Sequence, residues 1–250
     1  MISIGPDTVL ATFAIFCRVG ACLMIAPGFS SSQVPVRIRL YLAIAVSLAL
    51  APMLIPEVQP LLADAAVSAL LGLLFGELAR GLLFGLIAHL LFMALQVITV
   101  AITQLIGLSS MPGTALPDAQ EPALANLFSI TAATLMFVTG LHGQLIRGLV
   151  DSYAALPPGA GFGVQPALAD IAEKGGVAFL AALRIGGPFI AYSVLVNFAI
   201  GITSKLAPQI PVFFIATPFV MLGGLFLLLF SLHDILSYFV AAFDSWLAGF

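Results

Sequence analysis

The sequence predicts an all-α, polytopic membrane protein. Three observations carry this. Apolar residue types make up 62% of the 250 residues and charged types only 8%, whereas a water-soluble domain carries about 25% charged residues. A chain so poor in charge cannot cover its own surface in water. The apolar residues also fall in long uninterrupted runs, and a membrane-spanning helix needs roughly 20 of them in a row. Finally, the runs do not alternate apolar and polar positions, as the strands of a membrane barrel would.

The runs follow in order. Residues 9–26 form the first. No Lys or Arg precedes it and Arg18 interrupts it, so it reads as a retained span rather than a cleaved signal. Pro27 and Pro35 bracket the first break, with Arg37 and Arg39 just beyond. Residues 38–54 form the second run, ended by Pro52, Pro56 and Pro60, because proline removes a backbone donor and crowds the preceding turn. Residues 65–106 form the third, 123–146 the fourth, 177–204 the fifth and 212–232 the sixth. The break at 151–176 contains Pro157, Pro158, Gly159, Asp170, Glu173 and Lys174. The break before residue 212 contains Lys205, Pro208 and Pro211. With 65–106 taken as one long, bent crossing, the count is six spans. The positive-inside rule then puts Arg37, Arg39 and Lys205 on the cytoplasmic side and both termini outside.

The third run, if helical throughout, is about 63 Å long, twice a bilayer core. It carries Glu77 and Arg80 three residues apart, on one helical face, where they can pair. Either that pair sits at a membrane edge, or partner subunits sheath this stretch. Gly72, Gly76, Gly81 and Gly85 supply two Gly-x-x-x-Gly spacings that let helices approach closely. Arg18 is the clearest ionisable group within a span, either an anchor bonded to carbonyls of a neighbouring helix or a functional group in a pathway.

No catalytic pattern is legible. His89, His142 and His233 are scattered, with no partner at metal-ligand spacing. Cys17 and Cys22 are about 140° apart around one helix, which disfavours a disulfide or a shared metal. No nucleophile elbow or phosphate loop occurs, so no enzyme and no cofactor are expected. A net charge of −3 without a basic cluster gives nucleic acid no purchase. The most unusual segment is IGLSSMPGTALPDAQEP, residues 106–122, too apolar for a solvated linker and too broken for a helix. Backbone of this kind at membrane depth is tolerated only where protein buries it or it lines a cavity, so the segment is either an ordinary surface loop or one that packs reversibly against apolar side chains, as a channel plug requires. A secondary transporter for a small solute is the alternative, since Pro/Gly-broken segments recur at 107–122 and 207–218. Few polar groups lie at mid-span to bind such a solute.

Three stretches in this order carry a resemblance: CRVGACLMIAPGFSSSQVPVRIRLYLAIAVSLALAP; GLSSMPGTALPDAQEP followed by LFSITAATLMFVTGLHGQLIRGLVDSYAALPPG; and VNFAIGITSKLAPQIPVFFIATPFVMLGGL. Together they resemble the FliR/SctT family of flagellar-type (type III secretion) export-gate proteins, nearly end to end. Two local departures are Val220 after Pro218, where the family often has a basic residue, and the single His of Leu141-His142-Gly143. The resemblance implies long bent helical hairpins, with a FliP-like part at about 1–175 fused to a FliQ-like part at 176–250. It implies a gate built with FliP-like and FliQ-like subunits in the bacterial inner membrane, within the flagellar basal body and lifted largely out of the membrane plane. FlhB-like and FlhA-like proteins adjoin that gate, and unfolded export substrates pass through it. It also implies a pore plug loop, which maps to Ile106, Gly107, Leu108, Ser109, Ser110, Met111, Pro112, Gly113, Thr114, Ala115, Leu116 and Pro117.

Overall fold

A computed structural model describes residues 5–30, 34–62, 66–108, 123–161 and 163–247. Among these, all regular structure is helical. The elements are α1 (Pro6–Ile25), α2 (Val36–Val58) with a 3₁₀ turn at Gln59–Leu61, α3 (Val67–Leu105), α4 (Ala123–Val138), α5 (Leu141–Ala155), α6 (Val164–Leu206) and α7 (Val212–Leu247). Five helices are long and apolar enough to cross a membrane, and α4 with α5 makes a sixth candidate if the bent pair counts as one span. The all-α membrane class therefore holds, with five spanning helices or six.

Several boundaries differ from the sequence reading, and three of them are instructive. Pro52 and Pro56 lie inside α2 rather than ending it. Both prolines are exposed, while Leu54, Ile55 and Val58 are buried. The rings thus crowd only the outer side, and membrane helices tolerate proline where neighbouring groups satisfy the freed carbonyls. The run 123–146 is not one helix. It bends by 71° between α4 and α5, where Gly140 adopts φ +77°, a left-handed conformation that residues with a Cβ rarely accept. Finally, α6 begins at Val164, well before the apolar run at 177. Its first turns, QPALADIAEK, are rich in good helix formers. Their polarity bears on lipid contact, not on helix formation.

Length is the main anomaly. At 1.5 Å per residue, the 39 residues of α3 span about 58 Å and the 43 of α6 about 64 Å. Both far exceed a hydrocarbon core of about 30 Å. Large apolar side chains stay exposed along α6 and α7, among them Phe198, Phe214, Phe219 and Phe230.

The chain divides into two compact units. The first comprises Met1–Leu90, Met136–Gly175 and Asp244–Phe250. In it α1 buries Ala11, Ala14, Ile15, Arg18, Val19 and Cys22, a three-to-four spacing that places one face inward. The second comprises Leu91–Leu135 and Gly176–Phe243. There Phe92 packs edge-on against Phe239 and Phe243, with ring centroids 5.0 and 5.6 Å away. Tyr192 of α6 donates its hydroxyl to the Val220 carbonyl of α7 at 2.7 Å. A Cβ on Gly186 would land on the end of the Ile98 side chain, so a larger residue there would require that side chain to move.

Candidate functional site

The first unit holds a buried charge cluster on a glycine-lined helix pair. A Cβ built on Gly81 would fall on the backbone carbonyl of Arg18, and one on Gly85 would sit 2.8 Å from the carbonyl oxygen of Cys22. Each of these contacts advances four residues on both helices, so α1 and α3 run parallel, backbone against backbone. Glycine is required at both places because any side chain would push the helices apart.

That close approach brings Arg18 against Glu77. Arg18 Nε donates to Glu77 Oε2 at 2.6 Å and Nη2 donates to Oε1 at 3.0 Å. This is the two-pronged geometry that a planar guanidinium and a carboxylate favour. The remaining Arg18 donors go to the end of α5: Nη1 to the Ser152 carbonyl at 3.1 Å and Nη2 to the Leu156 carbonyl at 2.9 Å. The Tyr153 ring lies 3.8 Å from the guanidinium carbon, a cation–π contact. Arg80 Nη1 donates to the same Glu77 Oε1 at 2.9 Å. Its Nη2 donates to the Ala160 carbonyl in the loop after α5. Arg18 and Glu77 are fully buried and Arg80 is 3% exposed.

One carboxylate thus serves two guanidiniums, and together they fasten α1, α3 and the C-terminal end of α5. The Glu77–Arg80 pair is at an i, i+3 spacing, visible in sequence. The Arg18–Glu77 pair spans 59 positions, and no local pattern signals it. Two opposite charges in otherwise apolar runs were the available hint. Ser152, Tyr153, Leu156 and Ala160 were not singled out, because three of them take part through backbone carbonyls and Tyr153 through its ring face. Of the four glycines, Gly81 and Gly85 meet α1. Gly72 has nothing within 4 Å of a built Cβ, and Gly76 faces only the Arg80 side chain.

The second segment of interest leaves α3. Ile106 is fully buried, and a Cβ on Gly224 would sit 2.5 Å from its Cβ. Gly107 takes φ +82° and donates its N–H to the Gln104 carbonyl, the left-handed glycine stop common at helix ends. Leu108 follows, half-buried. Ser109, Ser110, Met111, Pro112, Gly113, Thr114, Ala115, Leu116 and Pro117 lie outside the described residues. Among the described residues, no three His, Cys, Asp or Glu side chains gather as metal ligands, and both cysteines are free.

Comparison with known proteins places these features in a family. The family described as bacterial export proteins, family 1, matches residues 9–246. A flagellar biosynthetic protein FliR of Caulobacter vibrioides is 30% identical over 225 residues, covering 88% of each chain. Its namesake in Escherichia coli is 29% identical over 84% of this chain and 80% of its own. The one in Aquifex aeolicus is 29% identical over 87% and 83% respectively.

Proposed function

The chain belongs to the bacterial export proteins, family 1, and on that premise we propose that it is a core subunit of the flagellar type III protein export gate. The observation that carries this reading is the extent of the family match, which crosses every helix from α1 to α7. In this reading the chain joins FliP-like and FliQ-like subunits in the bacterial inner membrane, within the basal body. Residues 1–175 are its FliP-like part and 176–250 its FliQ-like part. FlhB-like and FlhA-like proteins adjoin the gate, and unfolded export substrates cross it. The chain contributes walls and a closure rather than a reaction.

Helix length supports an assembled state. An isolated bilayer covers about 30 Å of helix, so the outer turns of α3 and α6 need another apolar environment. The exposed phenylalanines of α6 and α7 need one as well, and neighbouring subunits supply it. Deleting the gene in the bacterium that carries it should abolish both motility and release of flagellar subunits into the medium, with growth unchanged. Normal swimming in the deletion strain would exclude the reading.

The closure is assigned to Ile106–Pro117. Small and apolar side chains packed across a pore leave no continuous water path, and displacement of one loop would open it. Removal of residues 109–117 should leave the assembled gate permeable to ions. The check is membrane conductance or salt sensitivity of cells expressing the gate. An intact assembly with unchanged conductance would refute the plug.

A further inference from the structure

The buried cluster is not electrically balanced. Arg18 and Arg80 bring two positive charges and Glu77 one negative. Among the described residues, the ion pairs to these guanidiniums both use that single carboxylate. Among the described residues the cluster itself therefore carries one net positive charge, and an ion left uncompensated in apolar surroundings is expensive. The excess has a direction. Arg18 is enclosed by Glu77, Tyr153 and two carbonyls. Arg80 instead lines a cavity of about 770 Å³ between α3 and the Gly159–Gly161 loop.

The shape of that cavity is equally specific. Its α3 wall is made of Ala69, Gly72, Gly76 and Ala79, which recur at three- and four-residue steps and so share one face. The helix carries two Gly-x-x-x-Gly pairs. The backbone of α1 fills the second, whereas the first is open on its Gly72 side. Leu73 and Phe75 also line the cavity, and Phe75 is 68% exposed. A glycine face admits a helix backbone at close range, a fit that a lipid chain does not need. Arg80 is only 3% exposed, so its charge is reached by a side chain entering the groove rather than by a headgroup resting outside.

We infer that this groove is the docking site for a helix of a partner subunit, an apolar helix carrying one Asp or Glu that inserts toward Arg80 and neutralises the cluster. This rests on the reading of the chain as part of a multi-subunit gate, and it names the surface and the chemistry of one contact within it.

Two substitutions separate this from a purely structural role. Arg80→Met leaves the Arg18–Glu77 pair neutral and intact. Gly72→Leu fills the groove where a Cβ meets nothing within 4 Å among the described residues. Each variant would be co-expressed with the FliP-like and FliQ-like subunits and recovered through a tag on the FliP-like chain. Chain level and bound lipid would be measured in parallel. Both variants should accumulate in membranes like the parent, yet co-purify about tenfold less or worse, the scale of losing a charged, desolvated contact. Equal recovery of parent and variants overturns the docking site, and so does a fall in accumulation of Arg80→Met. Unchanged subunit recovery with loss of bound anionic phospholipid also overturns it, in favour of a lipid headgroup. Failure of the parent itself to co-purify would instead fault the assembly reading.

Discussion

Replacing Glu77 by alanine should nearly eliminate folded chain from the membrane. The change strands two guanidiniums that are fully or almost fully buried. Removing one partner of a buried pair costs about 3–5 kcal/mol, and here a single carboxylate serves two cations. The effect should be graded across the cluster. Arg18→Met keeps Glu77 paired with Arg80 but removes the Arg18 donor from the Leu156 carbonyl, at about 1–3 kcal/mol, while the Ser152 carbonyl keeps the Leu156 N–H. Arg80→Met leaves a neutral Arg18–Glu77 pair and should accumulate like the parent. Replacing all three residues with Met or Leu of similar volume should restore accumulation, since well-packed apolar groups often match or exceed a buried ion pair in stability. Fluorescence-detected size-exclusion of tagged chains, with a thermal ramp, gives the ranking. A Glu77→Ala chain as abundant and heat-resistant as the parent would show that the cluster is not what fastens α1 to α3.

Gly81→Val should be comparably damaging for a different reason. A Cβ at 81 lands on the Arg18 backbone carbonyl. Backbone cannot rotate away as a side-chain tip can, so α1 must separate from α3, which also pulls Arg18 from Glu77. Overpacking alone costs about 1–3 kcal/mol, and the disturbed ion pair adds to it. Gly72→Ala is the matched control. Its Cβ meets nothing within 4 Å among the described residues, and alanine favours a helix interior over glycine by up to about 1 kcal/mol. The same thermal ramp should show Gly81→Val strongly destabilised and Gly72→Ala unchanged or slightly improved. Equal melting of the two would refute the parallel, backbone-to-backbone packing of α1 on α3.

Much of the architecture was legible because a lipid-facing helix states itself through run length. Each long apolar run contains a helix or, at 123–146, a bent pair. What composition could not fix was helical continuity. Pro52 and Pro56 read as a stop, yet their exposed rings leave α2 intact. Gly140 read as one more residue of an apolar run, yet it permits a sharp bend. The polar start of α6 read as a loop because hydropathy reports on solvent, not on backbone hydrogen bonding. The candidate site was half visible: Glu77 and Arg80 lie one turn apart and announce each other. Arg18 lies on another helix, and its pairing depends on Gly81 and Gly85 setting the interhelical distance. Gly81 and Gly85 stood out as helix-packing positions beside the charges, but nothing in the spacing said that α1 would be the helix they meet.

The reach of the Arg18–Glu77 pair has a consequence for biosynthesis. Glu77 follows Arg18 by 59 residues, and the Ser152 and Leu156 carbonyls follow it by 134 and 138. At a translation rate of roughly 5–20 residues per second, α1 leaves the ribosome about 3–12 seconds before its carboxylate exists, and longer still before α5. Throughout that interval a cation midway along α1 has no partner in its own chain. The insertion machinery must hold this helix in a hydrated or shielded setting until α3 arrives. Ribosomes stalled before codon 77 should therefore carry α1 still crosslinkable to that machinery, while stalls that expose all of α3 release it.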